Sequence, residues 1–283
     1  MVIKKVLLAI DFSRASMQLV ECLDEFQSLG LEEVVLVHVI DSRSPGGTAA
    51  AFRTFEQEIL NSLKAKLEAI GLRVKLLLPV GIPTFELVKI AQAEQVSLIL
   101  ISSHGQGYVK NILLGSTTND VIRTSPVPVL IEKYREVDPD TLSLICLRKF
   151  RRVLLPLDFS APSQKLLEEI RGLAPLIEEV IILSVIEGAA DEGQLQELLQ
   201  QRQALLQEKQ HDLEQLGLKV RTLLRQGSAS IEIITTAEAE DVTLIMLANR
   251  GGGLIKELLL GRTAHEVIRG SKRSVLLIPT LKR

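Results

Sequence analysis

Short runs of Val, Ile and Leu alternate with longer amphipathic stretches along the chain, the pattern of a parallel sheet covered on both faces by helices. In the first half the runs predict strands at about Lys4–Ile10, Glu33–Ile40, Arg73–Val80, Ser97–Ser102 and Val127–Glu132. In the second half they predict strands near Arg151–Leu157, Glu179–Ile186, Leu218–Leu224, Thr243–Ala248 and Ser274–Pro279. Helices fill most of the gaps. Leu195, Leu198, Leu199, Leu205, Leu206, Leu213 and Leu216 form a helical stripe, which assigns Gln194–Leu216 to the second helix of the second half and not to a coiled coil.

The two halves are copies. VLLAIDFS (Val6–Ser13) returns as VLLPLDFS (Val153–Ser160), with Asp11 and Asp158 147 positions apart. Gly81, Gly105, Gly115 and Arg123 return as Gly227, Gly251, Gly261 and Arg269, all 146 positions on. A nearly constant offset across Asp, Gly and Arg positions marks a duplication. It divides the chain into domains at 1–134 and 151–283, with 135–150 as linker. The stretch Lys133–Phe150 carries an acidic Pro turn and then an apolar run, Leu142–Leu147, which predicts a linker packed on a domain and not a free tether.

Composition agrees with two ordinary globular domains and removes several classes of function. The 283 residues are 46% hydrophobic and 24% charged, with a formal net charge of −2. No bulk field favours DNA, RNA or an anionic membrane surface. Cys22 and Cys146 sit in apolar contexts with no CxxC spacing, which argues against a disulfide framework or a zinc site. The apolar run Val6–Ile10 is interrupted by Asp11 and is too short for a signal peptide core or a membrane span, so a cytoplasmic protein is expected.

In a doubly wound sheet, ligands bind outside the C-terminal ends of the strands where strand order reverses. That rule selects Asp11, at the end of the first strand, and Ser102 to Gly105, at the end of the fourth. The loop SSHGQGYVKNILLGSTTNDVIR then ends in Gly115-Ser116-Thr117 just before a helix. Glycines admit close approach of backbone to phosphate oxygens, while hydroxyls and the N–H groups of a helix N-terminus donate to negative charge. The plainer alternatives are that the glycines only turn the chain, that Ser116 caps the helix, and that Asp11 is a cap or turn residue. No Walker lysine motif or HExxH is present.

These residues resemble the universal stress protein family, whose nucleotide binders carry G-x2-G-x9-G-(S/T) after the fourth strand. The first copy has Ser102-x2-Gly105-x9-Gly115-Ser116, with serine in place of the first glycine; the second has Ala248-x2-Gly251-x9-Gly261-Arg262. DFS after the first strand, HVID after the second and VPVLI at the fifth extend the likeness. It implies an α/β fold of two tandem doubly wound five-stranded parallel-sheet domains, adenine nucleotide alpha hydrolase-like, with strand order 3-2-1-4-5. It also implies an adenine nucleotide, ATP or AMP, with accompanying Mg left open. Asp11 and Val39 would approach the adenosine, and Ser102, Ser103, His104, Gly105, Gly115, Ser116 and Thr117 the ribose and phosphates. In the second copy the matching residues are Asp158, Val185, Asn249, Arg250, Gly251, Gly261 and Arg262, and Arg262 offers a guanidinium to phosphate.

The leading expectation is therefore an adenine-nucleotide-binding stress-response or regulatory protein, with the first copy keeping the better-preserved site. An ATPase or phosphotransferase would need a general base and a metal-holding carboxylate. His104 has no recognisable orienting partner for such a role. A purely structural interaction module is the third reading. His38 is expected to be a packed core or turn residue, with His211 and His265 solvated or capping. The apolar fifth strands Val127–Ile131 and Ser274–Ile278 need cover. The family likeness implies pairing of the two copies as an internal pseudo-dimer, with a homodimer of chains left open.

Overall fold

The computed structural model describes residues 1–43, 50–103, 114–138, 141–144, 148–188, 191–251 and 260–280. The chain divides between Leu147 and Arg148 into two compact units. The first contains β1 (Lys5–Ala9), α1 (Arg14–Met17), a 3-10 turn (Gln18–Cys22), α2 (Leu23–Gln27), β2 (Glu33–Val37), β3 (Ile40–Asp41), α3 (Ala50–Ala69) and β4 (Arg73–Leu77). It continues with β5 (Val80–Gly81), α4 (Pro83–Ala93), β6 (Leu98–Ser102), α5 (Ser116–Thr124), β7 (Val129–Glu132), β8 (Tyr134–Asp138) and β9 (Thr141–Leu144). The second contains β10 (Arg152–Pro156), α6 (Ala161–Leu173), a 3-10 turn (Ala174–Leu176), β11 (Glu179–Ile186) and α7 (Glu192–Glu214). It ends with β12 (Lys219–Gln226), α8 (Ala229–Ala239), β13 (Leu244–Ala248), α9 (Arg262–Gly270) and β14 (Ser274–Ile278).

Within the first unit the strand order is β4-β2-β1-β6-β7, and every neighbouring pair is parallel. The second repeats it as β12-β11-β10-β13-β14. This is the expected 3-2-1-4-5 order in each copy. Leu7, Leu8, Val35, Leu36, Leu98 and Ile99 are buried in the first unit, as are Leu154, Leu155, Ile181, Ile182, Leu244 and Ile245 in the second. Consecutive residues buried along one strand mean that both faces of the sheet are covered. Each such side chain contributes about 1.5–3 kcal/mol relative to exposure.

Two expectations are corrected. The long strands predicted at Glu33–Ile40 and Arg73–Val80 are each broken, with pairing resumed only as β3 beside β5. The cause is Pro79: its carbonyl accepts from Ile40 N at 2.9 Å, but proline has no N–H to return to the ladder. Arg225 stands at the corresponding position of the second copy, and there β11 and β12 pair without interruption from Glu179↔Lys219 to Ile186↔Gln226. In the expected linker, Tyr134–Asp138 and Thr141–Leu144 pair as an antiparallel hairpin. The long helix of the second copy is present as α7. No described helix is long and apolar enough to cross a membrane. Cys22 is buried and in no disulfide, and Cys146 lies outside the described residues.

At the N-terminal ends of the strands the two copies carry one charge network in two versions. Lys5 Nζ lies 2.9 Å from Glu33 and 3.0 Å from Glu94, and Lys75 Nζ lies 2.6 Å from Glu94. In the second copy Arg152 and Arg221 each reach Glu179 at 2.7 Å, and Arg221 also reaches Glu240 at 2.8 Å. The start of β1 thus meets an opposite charge at the start of β2, and the start of β10 one at the start of β11.

Burial by itself would raise the Glu179 carboxyl, but hydrogen bonds from Arg221 and Arg152 outweigh it and hold the group at about 2. Its contribution to stability is accordingly complete above the ordinary carboxylate value of 4.5 and is lost as pH falls from there towards about 2. At about 1.4 kcal/mol per pKa unit, the contribution is on the order of 3 kcal/mol. Glu179→Gln should lower the melting temperature at pH 7 and flatten the loss of stability between those two pH values, read by thermal unfolding across a pH series. An unchanged acid limb would show that the network adds nothing to stability.

Candidate functional site

The C-terminal ends of β1, β2 and β6 bring most of the expected first-copy residues to one edge of the sheet. Asp11 follows β1 after Ile10. Its Oδ1 accepts from Ser13 N at 3.0 Å, and its own N–H donates to Ser16 Oγ at 3.2 Å. Ser13 caps α1, accepting from Ser16 N at 3.1 Å. Asp11 is thus a turn residue beside the cap and not the cap itself. Between them Phe12 has φ of +60°, a left-handed conformation that costs an aromatic residue on the order of 1 kcal/mol. Phe159 repeats it at +61° in the second copy. Retention of the strained turn after both Asp11 and Asp158 shows that the turn geometry is held against its local cost.

His38 is mostly buried, as expected of a packed residue. Its Nδ1 donates to Ile10 O at 2.8 Å, and its ring lies 4.4 Å from the Phe12 ring. Its Nε2 faces Glu56 Oε1 on α3 at 3.8 Å. Val39 is buried immediately after it. Ser102, in place of the first glycine, is the last residue of β6 and sits opposite Glu132 in the ladder, with no positive φ. Serine is therefore accommodated there without backbone strain.

Ser103 N donates to Glu132 O at 3.0 Å, and Gly115 N returns to Ser103 O at 2.8 Å. The loop between them thus closes on its own start. His104 and Gly105 lie outside the described residues. Gly115 occupies the N-cap of α5 with φ of −64° and ψ of 149°, and no side chain caps the helix. The cap falls to Gly115 and not to Ser116, so the Ser116 hydroxyl is left exposed in the first turn beside half-buried Thr117. That turn contains no acidic residue. Thr118 instead turns inward and donates to Ser102 O at 2.8 Å, pinning the helix start to the end of β6.

The second copy repeats the frame with other side chains. Gly261 N returns to Asn249 O at 2.7 Å and caps α9 with φ of −68°. A Cβ on Gly261 would meet nothing nearer than 3.4 Å, so neither conformation nor packing demands glycine there. Asn249 holds the chain after β14, its Oδ1 accepting from Thr280 N at 2.9 Å and Thr280 Oγ1 at 2.7 Å. The Asp158 Oδ1 accepts from Ser160 N at 3.0 Å, and Gly251 passes so near that a Cβ there would lie 2.9 Å from Asp158 Oδ2. Val185 is half-buried on β11. Arg262 extends into solvent and pairs with Glu266 at 2.7 Å, one turn along α9.

Sequence reading passed over one pair. Arg202, on α7 at the position that Glu56 holds on α3, lies 5.1 Å over the Phe159 ring and donates to Asp158 O at 2.7 Å. The offset of 146 carries Glu56 onto Arg202 and His38 onto Ser184, so comparison of the two copies position by position contains that signal. Among the described residues no group of three or more His, Cys, Asp and Glu side chains is placed to hold a metal ion.

A profile of the Universal stress protein family matches residues 3–133 and again residues 149–279. Universal stress protein MJ0577 of Methanocaldococcus jannaschii is 37% identical over 155 residues, which cover 47% of this chain and 96% of that protein. Universal stress protein Sll1654 of Synechocystis is 29% identical over 135 residues, covering 46% of this chain and 86% of that protein. The crystal structure of a universal stress protein from Archaeoglobus fulgidus superposes with a TM-score of 0.75 at 27% identity, over 97% of this chain and 96% of that one. That likeness spans both copies.

Thr118→Val keeps the side-chain shape but removes the buried donor to Ser102 O. It should cost about 1–2 kcal/mol of stability in thermal or denaturant unfolding. A loss below about 0.3 kcal/mol would mean that the helix start is held by its backbone bonds alone.

Proposed function

The chain is a tandem member of the universal stress protein family, and from that premise we propose that it is an adenine-nucleotide-binding regulatory protein of the stress response, taking ATP or AMP at its first copy. The observation that carries this reading is the start of α5. A nine-residue helix opens with a glycine cap in extended conformation, an exposed Ser116 hydroxyl and no carboxylate in its first turn. Its positive end is therefore open to phosphate.

The Asp11 carboxylate, on the same edge, accepts from the ribose or the adenine. Val39 supplies apolar contact, while Ser103, Gly115, Ser116 and Thr117, with His104 and Gly105 of the intervening loop, surround the ribose and phosphates. Glycine at 115 supports the same reading, because its φ is one that any residue adopts and what it uniquely offers is backbone open to a ligand. Binding shifts a conformation or a partner preference, and catalysis is not required for that role.

The full-length chain titrated with ATP should melt at higher temperature, by the equivalent of about 2.7 kcal/mol at a hundredfold excess over Kd. Asp11→Ala and Gly115→Val should each reduce that shift by more than half, and calorimetry should show at least a tenfold weaker Kd. Absence of any shift in the unaltered chain would refute nucleotide binding. A shift that both variants retain would refute the site.

A further inference from the structure

Each copy holds an aromatic residue in the left-handed region directly after its first aspartate, Phe12 at φ of +60° and Phe159 at +61°. An L side chain adopts that conformation at a cost, so other contacts must hold the turn. In the second copy a cation does so. Arg202 lies 5.1 Å over the Phe159 ring and donates to Asp158 O, the carbonyl of the preceding residue, at 2.7 Å. A guanidinium keeps its charge throughout the pH range in which proteins stay folded, so this hold is permanent.

In the first copy Glu56 takes the position of that arginine, and His38 stands where the second copy has Ser184. The His38 ring lies 4.4 Å from the Phe12 ring, and its Nδ1 bonds to Ile10 O at 2.8 Å. A carbonyl oxygen only accepts, so Nδ1 carries a proton. Nε2 faces Glu56 Oε1 at 3.8 Å, and Glu56 Oε2 is buried with no hydrogen-bond partner among the described residues. With Nε2 unprotonated, a lone pair faces a carboxylate across a mostly buried gap. A proton on Nε2 turns the same geometry into an ion pair, strengthens the bond to Ile10 O and sets positive charge against the Phe12 ring. His38 thus touches the turn on both sides of Asp11, through contacts that an imidazolium tightens. Of the other acids on these segments, Asp11 has Oδ1 engaged by Ser13 N at 3.0 Å, and Asp41, on β3, pairs with Arg43 at 2.7 Å. The end of β4 meets His38 through Leu77 O, with no titratable side chain at that residue.

We infer that the Asp11 turn of the first copy is a proton-operated clamp: protonated His38, paired with Glu56, grips the turn at Ile10 O and the Phe12 ring, and loss of the proton releases it. The second copy carries the same clamp held shut by Arg202. Because proton uptake favours the clamped state, the grip is present at low pH and is lost as pH rises through the range in which histidines give up their charge, about 5 to 8. The inference concerns the turn alone and does not depend on which ligand the rim takes.

Amide hydrogen exchange on the full-length chain, corrected for the intrinsic effect of pH on exchange, should show Ser13 N and Ser16 N about fivefold better protected at about pH 5.5 than at about pH 7.5. Ser160 N and Ser163 N, at the matching turn of the second copy, serve as the control within the same molecule and should change by less than about twofold. His38→Gln should abolish the difference between the two pH values, and Glu56→Gln should at least halve it, each with unchanged circular dichroism. The double variant His38→Ser with Glu56→Arg, which gives the first copy the side chains of the second, should protect the turn at both pH values. Equal protection at both pH values in the unaltered chain, a difference that His38→Gln or the double variant retains, or an equal difference at Ser160 and Ser163 would each overturn the inference.

Discussion

A parallel ladder forces every strand to begin at one edge of the sheet and finish at the other, and the helices must carry the chain back across a face each time. Both copies obey that constraint with the same strand order, and it separates two duties. The starting edge is joined by charge: Lys5 with Glu33 and Glu94 in one copy, Arg152 and Arg221 with Glu179 in the other. The finishing edge gathers the loops, where N–H groups at helix starts and side chains near the strand ends are available to a ligand. Binding chemistry can change at the second edge without disturbing the first.

The copies bear this out in what they retain and what they exchange. Both keep an Asp after the first strand, a left-handed Phe next to it, and a glycine cap whose N–H returns to the residue after the fourth strand. These features shape the rim. Side chains carried on the neighbouring helices differ: Glu56 and Ser116 in one copy give way to Arg202 and Arg262 in the other. A duplicated scaffold permits this because the backbone bonds, and not the exchanged side chains, hold the loop geometry.

Much of the fold was legible in the alternation of apolar runs with amphipathic stretches, because strands buried on both faces must be apolar throughout. Glu179–Ile186 is observed with the predicted bounds. The interruption at β3 and β5 was less visible, since periodicity registers side chains whereas the break arises from the missing N–H of Pro79. The hairpin at Tyr134–Leu144 escaped because a short run followed by a Pro turn reads equally well as a packed linker. Asp11, Gly115 and Ser116 were singled out from spacing and type, but the assignment of the cap to Gly115 depends on backbone angles that residue type does not encode.

By itself the sequence determined the duplication, the fold class, and the chain segments that would form the rim of each copy, because these follow from periodicity and from a constant offset between matching residues. Only the tertiary structure decided how those residues are used. It turned Thr118 inward while leaving Ser116 exposed, set His38 between Ile10 and Glu56, and laid Arg202 across Phe159. Such roles depend on contacts between residues tens of positions apart, and residue type fixes which bonds a side chain is able to make without choosing its partner.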